Sequence, residues 1–327
     1  MEDQKKKVVV MGGGSGGSTL LKALAPFPVE LTAIISMADN GSSTGVLRRA
    51  YGVLPPGDIR QCLLALSHAT PEVQALFAYR FPDGPLESHT VGNILLTALE
   101  KTTGSFDRAV EVATEMLKTA GTVLPVSLES MEQGVVSEDG KTTVMGERQI
   151  DEADLGSGDW NVIYEPKNPS ANPKVLTAIR EANAVIIGPG SYYTSILPTL
   201  LEDVCEALRK TAAKLIFNAN LVTTPNQNDG WSVVQFVRRL ETHIGRPFDA
   251  VTYNSSPIPA DVLAATTGLK PIALGDATNE EEKKIRSAPI AQQSAPAKVA
   301  GDHSVRAPIR HDPKLLGPVL FDLINRL

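Results

Sequence analysis

Residues 8–19 read VVVMGGGSGGST, a run of β-branched residues that leads straight into a glycine-rich turn. The apolar run predicts a buried strand, and the letters STLLKALA after the glycines predict a helix. Glycine permits positive φ and close approach of the backbone to a ligand, and the N–H groups at a helix start suit a phosphate. The junction therefore predicts an α/β fold with a phosphate-bearing ligand at its first turn; a tight structural turn is the alternative.

The rest of the chain alternates short β-branched runs with longer amphipathic stretches. The candidate strands are Lys7–Met11, Leu31–Met37, Val185–Ile187, Lys214–Asn218 and Asp249–Asn254. The two clearest helical stretches are Ser195–Thr211 and Ser232–Ile244. This rhythm of strand and helix predicts a Rossmann-like, doubly wound and mostly parallel sheet, here in a single domain over residues 1–327.

Two segments interrupt this rhythm. Residues 125–165 include Asp139-Gly140 between two alternating runs, which predicts a small antiparallel hairpin insertion. Residues 277–302 begin with a solvated charge run and continue with alanine, proline, serine and glutamine. That composition offers few apolar anchors and predicts a mobile loop.

Composition limits the classes of partner and the cellular location. The net charge is −6 and aromatic residues make up 5%, which argues against a nucleic acid partner, since nucleic acid binders are usually basic. Cys62 and Cys205 show neither metal nor disulfide spacing. The start of the chain does not resemble a signal peptide, and no apolar run approaches the ~18 residues of a membrane span. We therefore expect a soluble cytoplasmic protein.

The first glycine loop also fits the dinucleotide pattern G-x-G-x-x-G through Gly12, Gly14 and Gly17. A dinucleotide site needs an acidic residue about twenty positions further on, at the end of the second strand. Glu30 precedes that strand and Asp39 lies well beyond the required spacing. No lysine completes a Walker motif either. The glycines therefore indicate a phosphate cradle rather than an NAD-dependent oxidoreductase.

Polar residues follow the second strand in the segment MADNGSSTG. Asp39, Asn40, Ser42 and Ser43 would lie at the carboxyl edge of the sheet, where open α/β sheets bind ligands. Asp39 could hold a divalent cation or a ribose hydroxyl. The alternative is an Asx turn followed by a helix cap.

Two further segments carry candidate ligand contacts. The rigid turn in LPPGDIRQCLLAL would present Asp58 and Arg60 to a phosphate and its counter-ion, or else form a helix cap and an ion pair. In SHTVGNILLTAL, His89 and Asn93 are four residues apart at a helix start and would share one face. A structural histidine, with a cap from Ser88 or Thr90, is the alternative there.

A second strand–glycine–helix junction occurs in IIGPGSYYTSILP, where Gly188, Gly190 and Ser191 repeat the logic of the first loop. Two anion-binding helix starts in one sheet suggest a ligand with two phosphates, or a phosphate and a sugar. The nucleophile-elbow pattern is incomplete and no Ser-His-Asp set stands out, so we assign no catalytic residue. Near the end, IRHDP contains Arg310, which on its own is typical of a surface ion pair.

Taken in order, these motifs resemble the YvcK/CofD-like family. The resemblance rests on GGGSGGS, ADNGSSTGVLR, PPGDIRQCLLAL, HTVGN, GERQI, GPGSYYTSILPTLL, NLVTTP and IRHDP, and it covers nearly the whole chain. It is greatest with the YvcK branch, the gluconeogenesis factors. Those are bacterial cytoplasmic proteins tied to carbon metabolism, cell-wall synthesis and cell shape, and they bind UDP-sugars such as UDP-N-acetylglucosamine. The CofD branch consists of 2-phospho-L-lactate transferases that use a divalent metal.

The resemblance implies roles for particular residues. The loop from Gly12 to Gly16 would cradle a diphosphate, Asp39 to Ser43 and Asp58 would line the same cleft, and Arg310 would lie near the nucleotide-sugar. The full implied ligand-binding set is Gly12, Gly13, Gly14, Ser15, Gly16, Asp39, Asn40, Gly41, Ser42, Ser43, Asp58, Arg60, His89, Asn93, Gly188, Gly190, Ser191, Asn220 and Arg310.

Two hypotheses for function follow. The first is a regulator that binds a UDP-sugar or another nucleoside diphosphate without turnover and does not depend on a metal. The family resemblance implies a homodimer. The second is a transferase in which Asp39 and Asp58 hold Mg²⁺ to neutralise a diphosphate leaving group. The family pattern has ADD where this chain has Asp39-Asn40, and the missing carboxylate favours the regulator.

Overall fold

The computed structural model describes residues 5–156, 158–264, 268–293 and 309–326. In chain order, its strands are β1 Lys6–Gly12, β2 Val29–Ile35, β3 Gly121–Pro125, β4 Glu132–Ser137, β5 Thr143–Met145, β6 Trp160–Glu165, β7 Ala184–Ile187, β8 Lys214–Asn218, β9 Ala250–Asn254 and β10 Ile285–Ala288. Seven of them form one sheet in the order β10-β9-β8-β7-β1-β2-β3, and all its neighbours pair in parallel. The other three form a small antiparallel sheet in the order β5-β4-β6.

The helices cover both faces of the large sheet. They are α1 Gly14–Leu24, α2 Ser42–Tyr51, α3 Pro56–Ala65, α4 Pro71–Ala78, α5 Val91–Thr103, α6 Phe106–Leu117, α7 Glu147–Glu152, α8 Pro173–Glu181, α9 Glu202–Lys210, α10 Val233–Ile244, α11 Ala260–Ala264, α12 Asn279–Lys284 and α13 Pro313–Arg326. Helix α1 packs against α3 and α13, whereas α9 packs against α8 and α10. The crossovers through α1 and α9 run in opposite directions along the sheet. Because parallel crossovers are right-handed, these two helices lie on opposite faces.

The central strand explains the uninterrupted apolar run in the sequence. Val8, Val9 and Val10 are all buried, because β1 lies between β2 and β7 with helices over both faces. Parallel strands covered on both sides read as continuous apolar runs rather than alternating ones. The predicted doubly wound sheet is confirmed, and each of the five predicted strands is present within two residues of its predicted ends.

The hairpin insertion is also confirmed. Strands β4 and β5 pair antiparallel, and Gly140 in the turn between them has φ of 71°. Its N–H donates to the carbonyl of Ser137 over 2.8 Å. Strand β6 pairs with the other edge of β4, so the insertion is a three-stranded sheet rather than a hairpin alone.

Two segments contain local structure that the sequence did not predict. The predicted mobile loop over 277–302 contains α12, whose start is capped by a reciprocal Thr278–Glu281 capping box, and the edge strand β10. Residues 294–302 of that loop lie outside the described residues. The predicted helix Ser195–Thr211 begins as a π-helical turn, Tyr192–Ile196, and a 3-10 turn, Leu197–Thr199, before α9. Pro198, which has no N–H, interrupts a regular α-helix there.

No helix in the described part of the chain has the length and apolar character needed to cross a membrane.

We expect Ser232→Ala to lower the free energy of unfolding by about 1 kcal/mol, the usual effect of losing an N-cap. The Ser232 hydroxyl accepts from the Gln235 N–H over 3.3 Å, and the Gln235 side chain accepts from the Ser232 N–H over 2.8 Å. Urea unfolding would measure the loss. Ser170→Ala is the matched control, since the Ser170 hydroxyl bonds to none of the described residues. Equal midpoints for the two variants would contradict the prediction.

Candidate functional site

The order of the strands creates a crevice at one edge of the large sheet. From β1 the chain proceeds outward through β2 to β3, and from β7 it proceeds the other way through β8 and β9 to β10. Strands β1 and β7 are neighbours, so the topology switches direction between them. Open α/β sheets bind ligands at such a switch point, outside the carboxyl ends of the strands. Both glycine junctions predicted from the sequence follow these two strands.

The two glycine loops contact each other directly. The Gly188 N–H donates to the Met11 carbonyl over 3.0 Å. A Cβ on Gly16 would lie 3.0 Å from the carbonyl carbon of Pro189, and one on Gly13 would lie 3.0 Å from the Ser195 hydroxyl. The loops can pack this closely only because these positions lack side chains. The predicted cradle from Gly12 to Gly16 and the predicted turn from Gly188 to Ser191 therefore lie side by side at the switch point of the sheet.

Asn220 holds the second loop in place. Its Oδ1 accepts from the Gly190 N–H over 3.0 Å, and its Nδ2 donates to the Gly190 carbonyl over 2.7 Å. Ser191 donates to the Gln227 side chain over 3.2 Å, which ties the same loop to the segment after β8. Both ends of the Asn220 amide are thus engaged by the loop, so Asn220 contributes to the crevice by fixing the backbone of Gly190.

Carboxylates gather against the first loop. A Cβ on Gly14 would lie 2.7 Å from the carboxyl carbon of Asp58, so Asp58 lies directly over the start of α1. Asp39 accepts from the Gly41 N–H over 2.9 Å, which is the predicted Asx turn. A Cβ on Gly57 would lie 3.1 Å from Oδ2 of Asp39, so the turn that carries Asp58 also approaches Asp39. The two aspartates therefore lie close together beside the cradle.

Sequence reasoning missed Glu147, the first residue of α7. Its Oε2 accepts from the Asn40 N–H over 3.1 Å, while the Arg148 N–H donates to the Asn40 side chain over 3.1 Å. Burial, followed by the negative charges of Asp39 and Asp58, raises the pKa of Glu147 well above its ordinary value. Glu147 thus belongs to the same acidic group. The motif GERQI marked its position, but no local spacing connects residue 147 to residue 39.

Four of the predicted residues form one hydrogen-bonded network. The buried Arg60 donates from Nε to Oδ1 of Asn93 over 2.9 Å. Asn93 donates from Nδ2 to the Ser43 hydroxyl over 3.2 Å, and that hydroxyl lies 2.8 Å from Nδ1 of His89. Thr90 caps α5 by accepting from the Asn93 N–H. Burial, and then the charge of Arg80, lower the pKa of His89.

Arg310 lies at the same sheet edge but on the far side of the glycine loops. Its carbonyl accepts from the Gln292 N–H over 2.8 Å, and the adjacent His311 is buried with Nε2 3.4 Å from Nδ2 of Asn218, at the end of β8. A ligand extending from the crevice toward β8 and β9 would approach this segment.

The family model described as "2-phospho-L-lactate transferase CofD" matches residues 8–291. The chain belongs to the CofD family. The resemblance read from the sequence motifs is thereby confirmed.

Curated relatives of this CofD-family chain agree with that assignment. A protein from Listeria innocua described as a gluconeogenesis factor is 38% identical over 75% of the chain and 76% of its own length. One from Halalkalibacterium halodurans with the same description is 39% identical over 76% of the chain and 77% of its own length. A relative from Nostoc sp. is 36% identical over 93% of the chain, which spans only 65% of that relative.

A solved structure shares the fold of this CofD-family chain. The crystal structure of a member of the UPF0052 family from Bacillus halodurans is 32% identical, with a TM-score of 0.85. The match covers 97% of the chain and 99% of that structure. The parallel sheet with its antiparallel insertion is therefore an architecture already observed for a relative.

The transferase branch implies a divalent metal, for which Asp39 and Asp58 of this CofD-family chain are the predicted ligands. Within the described residues, no three His, Cys, Asp or Glu side chains form a group that could hold a metal ion. Mg²⁺ keeps several waters and is often bound by one or two carboxylates together with substrate phosphates. Asp39 and Asp58 fit that simpler requirement, and the metal stays a prediction.

The remaining predicted residues lie at the same edge. Ser15 donates to the Gln61 side chain over 3.3 Å, beside Asp58, and Gly41 is the N-cap residue of α2. Ser42 is the first residue of α2, and its side chain lies outside the described part of the structure.

Proposed function

We propose that this chain binds a nucleoside-diphosphate sugar, of the UDP-N-acetylglucosamine type, in the crevice between its two glycine loops. We further propose that it acts there as a cytoplasmic regulatory factor of the gluconeogenesis-factor type, linked to carbon metabolism, cell wall and cell shape, without turning the ligand over. The observation that carries the proposal is the direct contact of two glycine loops at the switch point of the sheet.

Three features support a diphosphate as the central part of the ligand. Each wall of the crevice is a strand–glycine junction, and such junctions bring backbone N–H groups close to an anion. Gly13, the N-cap of α1, contributes no side-chain acceptor to the first turn of that helix. Asn220 fixes the backbone of the second loop in advance. A sugar or nucleoside extending toward β8 and β9 would then meet the segment of Arg310, whose cation suits a second anionic or polar group.

The regulatory role is supported by the names of the relatives, two of which are described as gluconeogenesis factors. It is also supported by the sequence departure at Asn40, which replaces a carboxylate of the family pattern with a neutral amide. A site with fewer carboxylates holds a divalent cation less strongly, and a diphosphate transfer reaction needs such a cation.

A thermal-shift screen against UDP-N-acetylglucosamine, UDP-glucose, NAD, GDP and GTP, each with and without Mg²⁺, tests the proposal. A ligand at about one hundred times its Kd stabilises the folded state by about 2.7 kcal/mol, which gives a readily measured rise in Tm. We expect the UDP-sugars to raise Tm in the presence of a chelator. A rise only with guanine nucleotides and Mg²⁺ would contradict the regulator.

The second candidate is a metal-dependent transferase of the 2-phospho-L-lactate transferase type. It is favoured by the position of Asp58 over the first glycine loop and by the approach of Asp39 to the turn that carries Asp58. In that function Asp39 and Asp58 would hold Mg²⁺, which would supply neutralisation of the charge that develops on a diphosphate leaving group. The chain's own loops would still bind and orient the diphosphate.

Asp58→Asn separates the two candidates. Without a metal, the negative charge of Asp58 repels a bound diphosphate. Removing that charge should make the binding free energy more favourable by on the order of 0.6 kcal/mol in a water-like dielectric. We therefore expect affinity for the UDP-sugar to rise about threefold. Calorimetric titration with a chelator would measure it, and Asp83→Asn, an exposed aspartate outside the crevice, is the control. A fall in affinity that depends on Mg²⁺ would favour the transferase.

A further inference from the structure

A cavity of about 390 Å³ opens on the β2 side of the crevice. Its wall combines α2, the segment before α5 and the start of α7, and it includes Asn40, Ser43 and His89 of the predicted site. No residue of either glycine loop lines it. The cavity is therefore a space distinct from the proposed diphosphate crevice, although the two share the loop that follows β2.

The hydrogen-bond network favours one tautomer of the neutral His89 ring. A guanidinium can only donate, so Arg60 requires the Asn93 oxygen to face it and leaves the Asn93 amide nitrogen to donate to Ser43. The Ser43 hydroxyl then has its own proton for Nδ1 of His89. A neutral ring that accepts this proton at Nδ1 carries its own proton on Nε2. That N–H donates to none of the described residues, and the ring lines the cavity.

The other charged groups around the cavity are mainly cationic. Arg49 and Arg148 line it together with one carboxylate, Glu87. None of the described carboxylates lies within ion-pair distance of Arg49. Arg148 pairs with Glu152 through Nε over 2.8 Å, which leaves its two Nη groups to meet a ligand. A planar guanidinium is well suited to bind a carboxylate or phosphate through two parallel hydrogen bonds.

The backbone beside His89 is held in an unusual conformation. Ser88 lines the cavity with φ of 65°, the left-handed region, which a residue with a Cβ rarely adopts. It is fixed there because its N–H donates to Phe81 over 3.0 Å and its carbonyl accepts from Arg80 over 2.6 Å. Such strain is often maintained where a side chain must be held toward a ligand. Here it fixes the approach of the next residue, His89.

We propose that this cavity is a second ligand subsite for a small acidic molecule, whose phosphate or carboxylate group is bound by Arg49, Arg148 and the Nε2–H of His89. The proposal rests on the proposed function in one respect only, that a different ligand fills the crevice. It gives the protein two neighbouring sites, so that a small acid and a nucleotide-sugar can be bound side by side on one sheet edge.

The test is a calorimetric titration of the full chain with inorganic phosphate and, separately, with citrate, each with and without saturating UDP-N-acetylglucosamine. The variants are Arg49→Gln combined with Arg148→Gln, and Arg108→Gln as control, since Arg108 is an exposed arginine paired with Glu111 on α6. We expect the double variant to bind the anion at least about tenfold more weakly, as loss of charge-assisted hydrogen bonds predicts. The control should match the wild type. Whichever of phosphate and citrate binds more tightly shows whether the cavity prefers a phosphate or a carboxylate group.

A second readout follows the histidine directly. In ¹H–¹⁵N spectra of ¹⁵N-histidine protein, assigned with His89→Gln, the His89 ring should show the Nε2–H form, and its Nε2 signal should shift when the anion binds. The proposal is overturned if the double variant binds the anion within twofold of the wild type, or if the anion competes with UDP-N-acetylglucosamine one for one. If the UDP-sugar does not bind at all, the proposed function fails, and the anion titration alone still decides the subsite.

Discussion

Gly16→Ala should reduce the affinity for the crevice ligand more than tenfold, a loss above about 1.4 kcal/mol. The added Cβ would overlap the carbonyl group of Pro189, lying 3.0 Å from its carbon atom. The atoms that it would meet there belong to the backbone of the second loop. Neither glycine loop can accommodate the methyl group by rotating a side chain, so the loops must separate. The backbone N–H groups proposed to bind one diphosphate would then no longer converge on it. Calorimetry with the best ligand of the thermal-shift screen measures the loss.

The same substitution should also destabilise the fold. Alanine in a helix ordinarily gains up to about 1 kcal/mol over glycine, but overpacking against rigid backbone costs about 1–3 kcal/mol. Gly158→Ala is the control, since the nearest atom to its added Cβ is the Trp160 indole nitrogen at 3.9 Å. If Gly16→Ala bound the ligand as tightly as the control, the crevice would not be the binding site.

The second large effect concerns pH. His311 is buried, and desolvation lowers its pKa from 6.5 to about 4, opposed only in part by a hydrogen bond that the ring donates to the Ala219 backbone. The folded state therefore favours the neutral ring. Above pH 6.5 the His311 ring is neutral in both the folded and the unfolded chain, and the free energy of unfolding has its full value. This free energy decreases as pH falls from 6.5 toward 4, because the ring then gains a proton only in the unfolded chain. The shift corresponds to a loss of about 3 kcal/mol in the free energy of unfolding over that window.

Urea unfolding at a series of pH values measures this dependence. His311→Gln should remove most of the slope between pH 6.5 and 4, and NMR titration of the wild-type ring reads its pKa directly if the variant does not fold. His243→Gln serves as the control, because His243 is exposed, with Nε2 3.2 Å from the Leu200 carbonyl. An NMR pKa near 6.5 for His311 would contradict the prediction.

Much of the site could be predicted from the sequence because parallel strands end at a common edge. The valines of β1 and the apolar run of β7 identify buried parallel strands, so the residues after each strand had to meet at that edge. This reasoning places Gly14, Asp39 and Ser191 at one sheet edge, where the structure has them, and their binding roles stay predictions. It could not give the strand order, since a crossover in either direction leaves the same pattern in the sequence.

The other parts of the fold and of the candidate site depend on long-range contacts, which local sequence patterns do not encode. Glu147 joins Asp39 and Asn40 from the start of α7, more than one hundred positions away, and no periodicity connects them. Asn220 was predicted as a ligand contact, yet its amide faces Gly190 because the end of β8 lies next to the end of β7. The segment of β10 lacked apolar anchors in the sequence. It forms an edge strand because its backbone pairs with that of β9.

The clamp of Asn220 on Gly190 has a consequence for the thermodynamics of recognition. Fixing a flexible residue on binding ordinarily consumes about 1–2 kcal/mol of conformational entropy per residue. Here two hydrogen bonds, at 3.0 and 2.7 Å, have already restricted the loop before any ligand arrives. Association should therefore be fast and lose little entropy to loop ordering, since preorganisation moves that loss from the binding step to the folding of the chain.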